Sequence, residues 1–313
     1  MILFPRHPLH QKLPDPSFKD EFDAAIAAGF KIGLVDTDNG YYVHANIPAL
    51  YRGWILKPGY YEDLCTAEPN LIVGFSDYMN SYNFPEWYRQ VYPSTPKSVF
   101  FGGTQSSFLV DGKFNVARVT VPSVTSWEGH RAETVTIGYL GNTGLIVKDW
   151  VKSRKHEWLD ACFIPDPNDL DNLARVVTNF INGQGDDLVG GLVFREYVKL
   201  KLIGNHPKSG LPLVNEHRFF VFKEQIFYSA PYWDAAFYGL ANVDAAFYGL
   251  ANVPDKKVII DLIPRIKSKF FALDVAEKED GGWIVIEVND GGTAGIPEGG
   301  NALEFYQALR ELF

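Results

Sequence analysis

Two acidic residues and an asparagine in the last third of the chain have the types and spacing needed to bind a metal ion. Two apolar runs, Phe270 to Ala276 and Trp283 to Val288, are joined by a charged Gly-Gly turn, which predicts a β-hairpin. Asp274 lies within the first run, whereas Glu287 and Asn289 are two residues apart and share one strand face. Mg²⁺ prefers one or two carboxylates and fills its other positions with water or phosphate oxygens. The hairpin therefore predicts a magnesium site, and the alternative is an edge hairpin with ordinary polar positions.

Basic residues form a second group near the middle of the chain. Lys148 ends the apolar run that begins at Leu145, and Lys152, Ser153 and Lys155 follow within seven residues. A lysine at the end of a buried strand is costly unless an anion neutralises it, so this run predicts contacts with phosphate. The alternative is a solvated charged turn.

The N-terminal elements predict a small parallel sheet. Ile2 to Phe4 reads as a strand, and a helix capped by Asp15 ends at Gly29. Lys31 to Asp36 then reads as a buried strand ending in an acid. This βαβ order predicts an α/β domain over residues 1–96.

The rest of the chain predicts a mostly antiparallel α+β body over residues 97–313, with a β-rich insertion at 100–143. The predicted strands are Phe108–Val110, Ala117–Val121, Thr134–Tyr139, Leu145–Trp150, Leu192–Val198, Arg218–Phe222 and Gln225–Ser229, followed by the hairpin, and the predicted helices are Asp166–Ile181 and Ala302–Leu312. Asp234 to Val243 recurs unchanged at Asp244 to Val253, which indicates a tandem duplication in a tolerant surface loop.

Composition narrows the class of protein. The chain has 313 residues, of which 46% are hydrophobic, so it can form an extensive core. A net charge of −9 argues against a free nucleic-acid binder, although the local basic run keeps nucleic acid open as a partner. The two cysteines, Cys65 and Cys162, predict a reducing compartment. We expect a cytoplasmic protein, since the start does not resemble a signal peptide and no apolar run approaches the ~18 residues of a membrane helix.

The order Asp-x12-Glu-x-Asn followed by the Gly-rich stretch from Asp290 to Gly295 resembles the metal-binding end of the ATP-grasp superfamily. Tyr51 to Trp54 and Lys148 to Ser153 resemble a poorly characterised bacterial and phage clade of these proteins. The resemblance implies an ATP-grasp fold of the α+β / α/β class with an N-terminal βαβ (pre-ATP-grasp) domain. It also implies a first subdomain at 97–190 and an adenine-hinge and metal-binding subdomain at 191–313, with ATP and Mg²⁺ as cofactors bound between two subdomains.

The resemblance also implies roles for individual residues. It assigns the metal to Asp274, Glu287 and Asn289, the phosphates to Lys148, Lys152 and Ser153, adenine to the backbone of Glu196 and Val198, the ribose to Glu216, and the substrate-facing loop to Gly292 and Thr293.

Two departures from the family pattern affect the expected catalytic cations. Many ATP-grasp enzymes have an arginine two residues before the first metal acid, where this chain has Ala272. We therefore expect Arg195 or Arg218 to supply that charge. A basic run containing Lys155 replaces the usual Gly-rich phosphate flap, so Lys155 is a third predicted catalytic cation.

The function implied by the resemblance is ATP-dependent ligation of a carboxylate to an amine or other nucleophile through an acylphosphate. Its substrate would be a small molecule or a peptide. The alternatives are another ATP chemistry, such as phosphotransfer or the joining of nucleic-acid ends, and a non-catalytic nucleotide sensor. The acyl donor, the acceptor and the oligomeric state have no readable motif.

Overall fold

The computed structural model describes residues 1–120, 123–127, 130–205, 212–233 and 254–313. The strands are β1 Ile2–Pro5, β2 Ile32–Val35, β3 Leu50–Tyr51, β4 Ser98–Gly102, β5 Leu109–Val110, β6 Lys113–Phe114, β7 Ser123–Trp127, β8 His130–Val135, β9 Leu145–Asp149, β10 Phe163–Ile164, β11 Gly191–Glu196, β12 Leu202–Asn205, β13 Pro212–Val214, β14 Glu216–Phe222, β15 Gln225–Pro231, β16 Phe270–Glu277 and β17 Trp283–Asp290. The helices are α1 Lys19–Ala27, α2 Pro58–Ala67, α3 Phe75–Tyr82, α4 Phe84–Val91, α5 Gln105–Phe108, α6 Ala117–Thr120, α7 Trp158–Ala161, α8 Leu170–Gln184, α9 Lys257–Ile260 and α10 Ala302–Leu312. The duplicated segment 234–253 lies outside the described residues.

The described residues form two compact units. The first unit comprises Met1–Tyr82, Asn215–Glu277 and Val285–Phe313, and the second comprises Asn83–Val214 and Lys278–Ile284. This grouping differs from the predicted division at residue 96, which concerns domains along the chain and stays a prediction.

The first unit contains the predicted βαβ opening. Strands β1 and β2 pair in parallel, with Leu3 opposite Gly33, and β3 adds to the other side of β1. The Asp15 side chain accepts a hydrogen bond from the Ser17 amide at 2.9 Å, so it starts the turn that leads into α1. Gly29 follows α1 with φ of 83°, a conformation that glycine adopts without strain.

A four-stranded antiparallel sheet with the order β15-β14-β16-β17 completes the first unit. Helix α10 packs between this sheet and the parallel sheet. Its Phe305 ring contacts the Phe220 ring at 4.9 Å between centroids, and its Tyr306 ring contacts Phe4 at 6.3 Å. Because β16 and β17 are neighbours in the sheet, the predicted hairpin is confirmed.

The second unit is built on a sheet with the order β10-β9-β11-β4. One sheet face carries Val147 and Phe194 and packs against the apolar side of α8, as the sequence predicts. The helix begins at Leu170 rather than at Asp166, since the Asp169 side chain accepts from the Asn172 amide. Asp166 accepts from Asn168 in a preceding turn instead.

Segment 100–143 contributes to this unit's core, in which its residues Phe108, Phe114 and Ile137 are buried. The predicted strand at Ala117 is wrong, because residues Ala117–Thr120 form a helical turn. Asn115 explains the difference: its side chain accepts from the Ala117 amide at 3.2 Å and its carbonyl from the Arg118 amide at 3.0 Å. Among the described residues, no helix is long and apolar enough to span a membrane.

Candidate functional site

The predicted metal acid Asp274 and the predicted cation Arg218 lie opposite each other on β16 and β14 of the first unit. Arg218 Nε and Nη2 each donate to one oxygen of the Asp274 carboxylate, both at 2.7 Å. Burial alone would lower the pKa of Arg218, but the Asp274 charge outweighs burial and raises that pKa above its ordinary value. The pair is therefore a fully ionised, bidentate ion pair in the sheet.

Glu287 and Asn289 on β17 converge on the same carboxylate. Asn289 Nδ2 lies 3.3 Å from Asp274 Oδ2 and 3.5 Å from Glu287 Oε2. Two carboxylates and one amide oxygen form a donor set that suits Mg²⁺, and Glu287 brings a second negative charge beside the neutralised Asp274. No group of three or more His, Cys, Asp or Glu side chains with metal-binding geometry occurs in the described ranges. The predicted set, with its asparagine, is therefore the best-supported metal site in this part of the chain.

Arg218 occupies the place beside Asp274 that the family pattern gives to an arginine two residues earlier in the chain. Ala272 fills that earlier position, is buried, and lies opposite Phe220 in the same pair of strands. A cation is thus present next to the metal acid, although it comes from the neighbouring strand.

The Gly-rich loop after β17 lies against the same cluster. Arg218 Nη1 donates to the Gly295 carbonyl at 2.9 Å. Gly292 is buried, and a Cβ at this position would lie 2.6 Å from the Tyr51 carbonyl oxygen, so no larger residue fits there. Thr293 is half-buried, and its amide donates to the Asp290 carbonyl at 3.2 Å. The loop is thus closely packed on its inner side.

Asp290, at the start of this loop, was not among the predicted site residues. Both of its carboxylate oxygens are buried and lack a hydrogen-bond partner among the described residues. Burial raises the pKa of Asp290 to about 7, with opposition from the positive charge of Arg52. The available sequence signal was an acid directly after the strand that carries Glu287 and Asn289.

In the second unit, the structure places Lys148 and Arg195 on one face of the sheet. Lys148 is paired with Val193 in the register, two residues from Arg195, so the two cations are diagonal neighbours. Both are buried beneath α4, with Lys148 Nζ 5.8 Å and the Arg195 guanidinium 5.9 Å from the Phe84 ring centroid. Arg195 Nη2 also donates to Thr95 Oγ1 at 2.6 Å. This face therefore concentrates positive charge.

The basic run after Lys148 forms a tight turn fixed by a buried acid. Asp149 Oδ1 accepts from the amides of Val151 and Lys152, and its other oxygen accepts from Gln184 on α8. The side chains of Lys152 and Ser153 are exposed and Lys155 is half-exposed. Sequence reasoning did not identify Asp149 as the residue that shapes this turn, although it directly follows Lys148.

Arg154, in contrast, is directed toward α8. Its Nη1 donates to the Gly183 carbonyl at 2.8 Å, and its Nη2 pairs with Glu157. The run therefore divides into one anchored arginine and three residues, at positions 152, 153 and 155, that face solvent at least in part.

The residues predicted to bind the nucleoside occupy strand ends. The Glu196 amide, at the end of β11 in the second unit, already donates to the Lys97 carbonyl at 2.8 Å, and Val198 lies beyond that strand. Glu216 starts β14 in the first unit and accepts from Trp233 Nε1 at 3.2 Å. The adenine and ribose roles of these residues stay predictions.

The fold and the acidic hairpin are those of an ATP-grasp protein. Residues 139–309, more than half of the chain, match the family model of an ATP-grasp domain that is the third family of its clade. The chain therefore belongs to this ATP-grasp family. This confirms the predicted superfamily and fold class. No curated protein matches the chain in sequence.

Solved ATP-grasp structures share the fold over nearly the whole chain. The D-cycloserine synthetase DcsG is 12% identical, with a TM-score of 0.54 and coverage of 99% of each chain. An ATP-grasp RimK domain protein from Sphaerobacter thermophilus is 9% identical, with a TM-score of 0.52 and coverage of 99% of this chain and 98% of that one. The ATP-grasp ligase PsnB, in complex with a precursor variant, Mg and ADP, is 11% identical, with a TM-score of 0.52 and coverage of 99% and 95%. At these identities the likeness establishes the fold.

Proposed function

We propose that this chain is an ATP- and Mg²⁺-dependent ligase that joins a carboxylate to an amine or other nucleophile through an acylphosphate. The family match over residues 139–309 carries the proposal, because this range contains every predicted ATP and metal residue from Lys148 to Asn289. The convergence of Asp274, Glu287 and Asn289 supports it independently.

The reaction has two steps. A donor carboxylate oxygen attacks the γ-phosphorus of ATP, ADP leaves, and the acylphosphate forms; an amine then attacks its carbonyl carbon and phosphate leaves. Bound Mg²⁺ supplies positive charge to the phosphate oxygens. Glu287, Asn289 and Asp274 would hold that ion, and Arg218 keeps Asp274 ionised and fixed in direction.

The cations of the second unit would bind phosphate oxygens. Lys148 is the strongest of these assignments, because it is 95% buried on a face that it shares with a second cation, Arg195. Like charges that are buried close together are costly, and a bound polyphosphate lowers that cost. The solvent-facing Lys152, Ser153 and Lys155 would contribute contacts from the adjacent turn. Glu196 and Val198 would contact adenine through their backbone, and Glu216 the ribose.

The acceptor is proposed to be a small amine or a peptide. The structural relatives include a synthetase of a small molecule and a ligase solved with its peptide precursor. Thr293 and Gly292 would form the loop that faces this substrate. We further propose that the protein works in the cytoplasm, where ATP is available.

Phosphorus NMR of the products tests the proposed function. Mg-ATP would be incubated with the protein and pooled carboxylate donors and amine or peptide acceptors, with the Glu287→Gln variant as the inactive control. The proposal predicts ADP and inorganic phosphate in the wild type only. AMP and pyrophosphate would contradict the acylphosphate route, and bound ATP with no turnover across all pools would favour a nucleotide sensor.

A further inference from the structure

Arg52 is a buried arginine of the first unit to which the ligase roles above give no task. Its side chain is 1% exposed and lies directly after β3. All three of its nitrogens donate hydrogen bonds: Nε and Nη2 to the Glu21 carboxylate, and Nη1 to the carbonyls of Gly291 at 2.6 Å and Ala294 at 2.7 Å. One arginine thus connects helix α1 with the Gly-rich loop.

Glu21 and Tyr306 fix the direction of this arginine. The Glu21 carboxylate makes a two-oxygen contact with Arg52, the shortest at 2.6 Å, and also accepts from the Tyr306 hydroxyl of α10 at 2.7 Å. The guanidinium is further packed 5.2 Å from the Phe305 ring centroid. Because the guanidinium is planar and held on one edge by Glu21, its opposite edge has a single available direction, which is toward the loop.

The loop depends on such external contacts. From residue 291 to 295 it reads Gly-Gly-Thr-Ala-Gly, so it has almost no side-chain surface with which to pack. Its carbonyls are instead bound from outside: those of Gly291 and Ala294 by Arg52, that of Gly292 by the Gly53 amide at 3.0 Å, and that of Gly295 by Arg218.

We propose that Arg52 is a positioning residue for the substrate-facing loop. It fixes two loop carbonyls so that the loop keeps one conformation beside the Asp274, Glu287 and Asn289 cluster. This inference rests on the proposed function for the loop's role in turnover, but its structural part does not. A purely structural arginine would be satisfied by Glu21 alone, whereas two of the bonds of Arg52 are made to the loop.

Arg52→Lys separates these roles, because an ammonium group can keep the ion pair with Glu21 but has no planar fork to hold two carbonyls as well. Tyr306→Phe is the milder variant, since it removes only the hydroxyl that steadies Glu21. Arg6→Lys is the matched control: Arg6 follows the neighbouring strand β1 and pairs with Asp36 at 2.8 Å without touching the loop.

Hydrogen exchange of the loop amides is the first readout. The amides of Gly291, Thr293 and Ala294 donate to backbone carbonyls at 2.9–3.2 Å, so each reports on the loop's own conformation. We expect exchange at these amides to rise about tenfold or more in Arg52→Lys, to rise less in Tyr306→Phe, and to stay unchanged in Arg6→Lys. An unchanged loop in Tyr306→Phe and Arg52→Lys, or an equal rise throughout the first unit, would overturn the proposal. If Arg52→Lys does not fold, the Tyr306→Phe result decides.

The second readout uses kinetics and keeps the two proposals distinguishable. In a ligase assay, Arg52→Lys should lower kcat or raise the KM for the acceptor while Mg-ATP affinity stays within about twofold, because Arg52 does not contact the predicted metal or phosphate ligands. A loss of Mg-ATP affinity equal to the loss of turnover would overturn the positioning role. If the wild-type protein binds no ATP, the ligase function fails, whereas the exchange result on the loop still stands or falls by itself.

Discussion

Arg218 on β14 and Asp274 on β16 face each other across neighbouring strands, and the guanidinium binds both carboxylate oxygens. This contact places a permanent positive charge beside a predicted metal ligand. It also connects the metal cluster to the Gly-rich loop, since Arg218 donates to the Gly295 carbonyl as well. The first unit thus holds its acids and its loop through arginine contacts on both sides.

Glu287→Gln tests the metal assignment. The amide keeps the shape of the side chain but removes the negative charge, so Mg²⁺ affinity should fall by about 10- to 100-fold, the scale on which even supporting residues of metal sites act. Calorimetric titration of Mg²⁺ in the presence of ATP measures the change. Glu298→Gln, at an exposed position of the same unit, is the control. Near-normal Mg²⁺ affinity and turnover in Glu287→Gln would show that the metal assignment is wrong.

Lys148→Met tests the phosphate assignment in the second unit. Methionine preserves most of the buried apolar stem, so the variant removes mainly the charge. ATP affinity should weaken by ~1–3 kcal/mol, the range for charge-assisted hydrogen bonds. The exposed Lys113 of the same unit, changed to methionine, controls for the loss of one positive charge. Equal ATP affinities of Lys148→Met and the wild type by calorimetry would contradict the assignment.

The basic turn should become more protected from hydrogen exchange when Mg-ATP binds. Asp149 already holds the amides of Val151 and Lys152, so the gain should concentrate at residues 153–156. Long cationic side chains must move inward here, because the turn lacks the glycines through which backbone amides approach phosphate. Exchange measured with and without Mg-ATP checks this, with the interior of α8 as an internal reference. Equal protection of 153–156 in both states would identify an ordinary solvated turn.

His217 on β14 predicts a loss of stability in acid. Burial lowers the pKa of this imidazole below its ordinary 6.5. As the pH falls below 6.5, the unfolded chain therefore takes up the proton before the folded protein does, and the free energy of unfolding decreases. Urea unfolding at pH 7.5 and pH 5 should show a smaller decrease for His217→Gln than for the wild type. Parallel decreases would contradict this, and the exposed His156→Gln serves as the control.

The sequence predicted elements whose signals are local. The hairpin, α10 and the βαβ opening follow from periodicity, turn residues and caps within short windows, and the structure confirms them. The predicted strand at Ala117 was wrong for an equally local reason, since Asn115 offers its own hydrogen bonds to the turn.

The arginine contacts lay beyond such reasoning. Arg52 meets Glu21 from 31 residues away and Gly291 from 239 residues away, and Tyr306 meets Glu21 over 285 residues. No periodicity or spacing encodes these meetings, because the tertiary fold alone decides which loop passes a buried side chain. The role of Arg218 was predicted as one of two choices, and the strand register brings it next to Asp274.

Calorimetric titration of ATP into the wild-type protein, with Mg²⁺ and then with the metal removed by EDTA, tests the central claim that this chain uses ATP with magnesium. The account predicts one ATP bound per chain in the presence of Mg²⁺ and a large loss of affinity in EDTA, since Glu287 and Asn289 are proposed to act on the nucleotide through the ion. No detectable ATP binding in Mg²⁺, or the same affinity with and without the metal, would contradict the account.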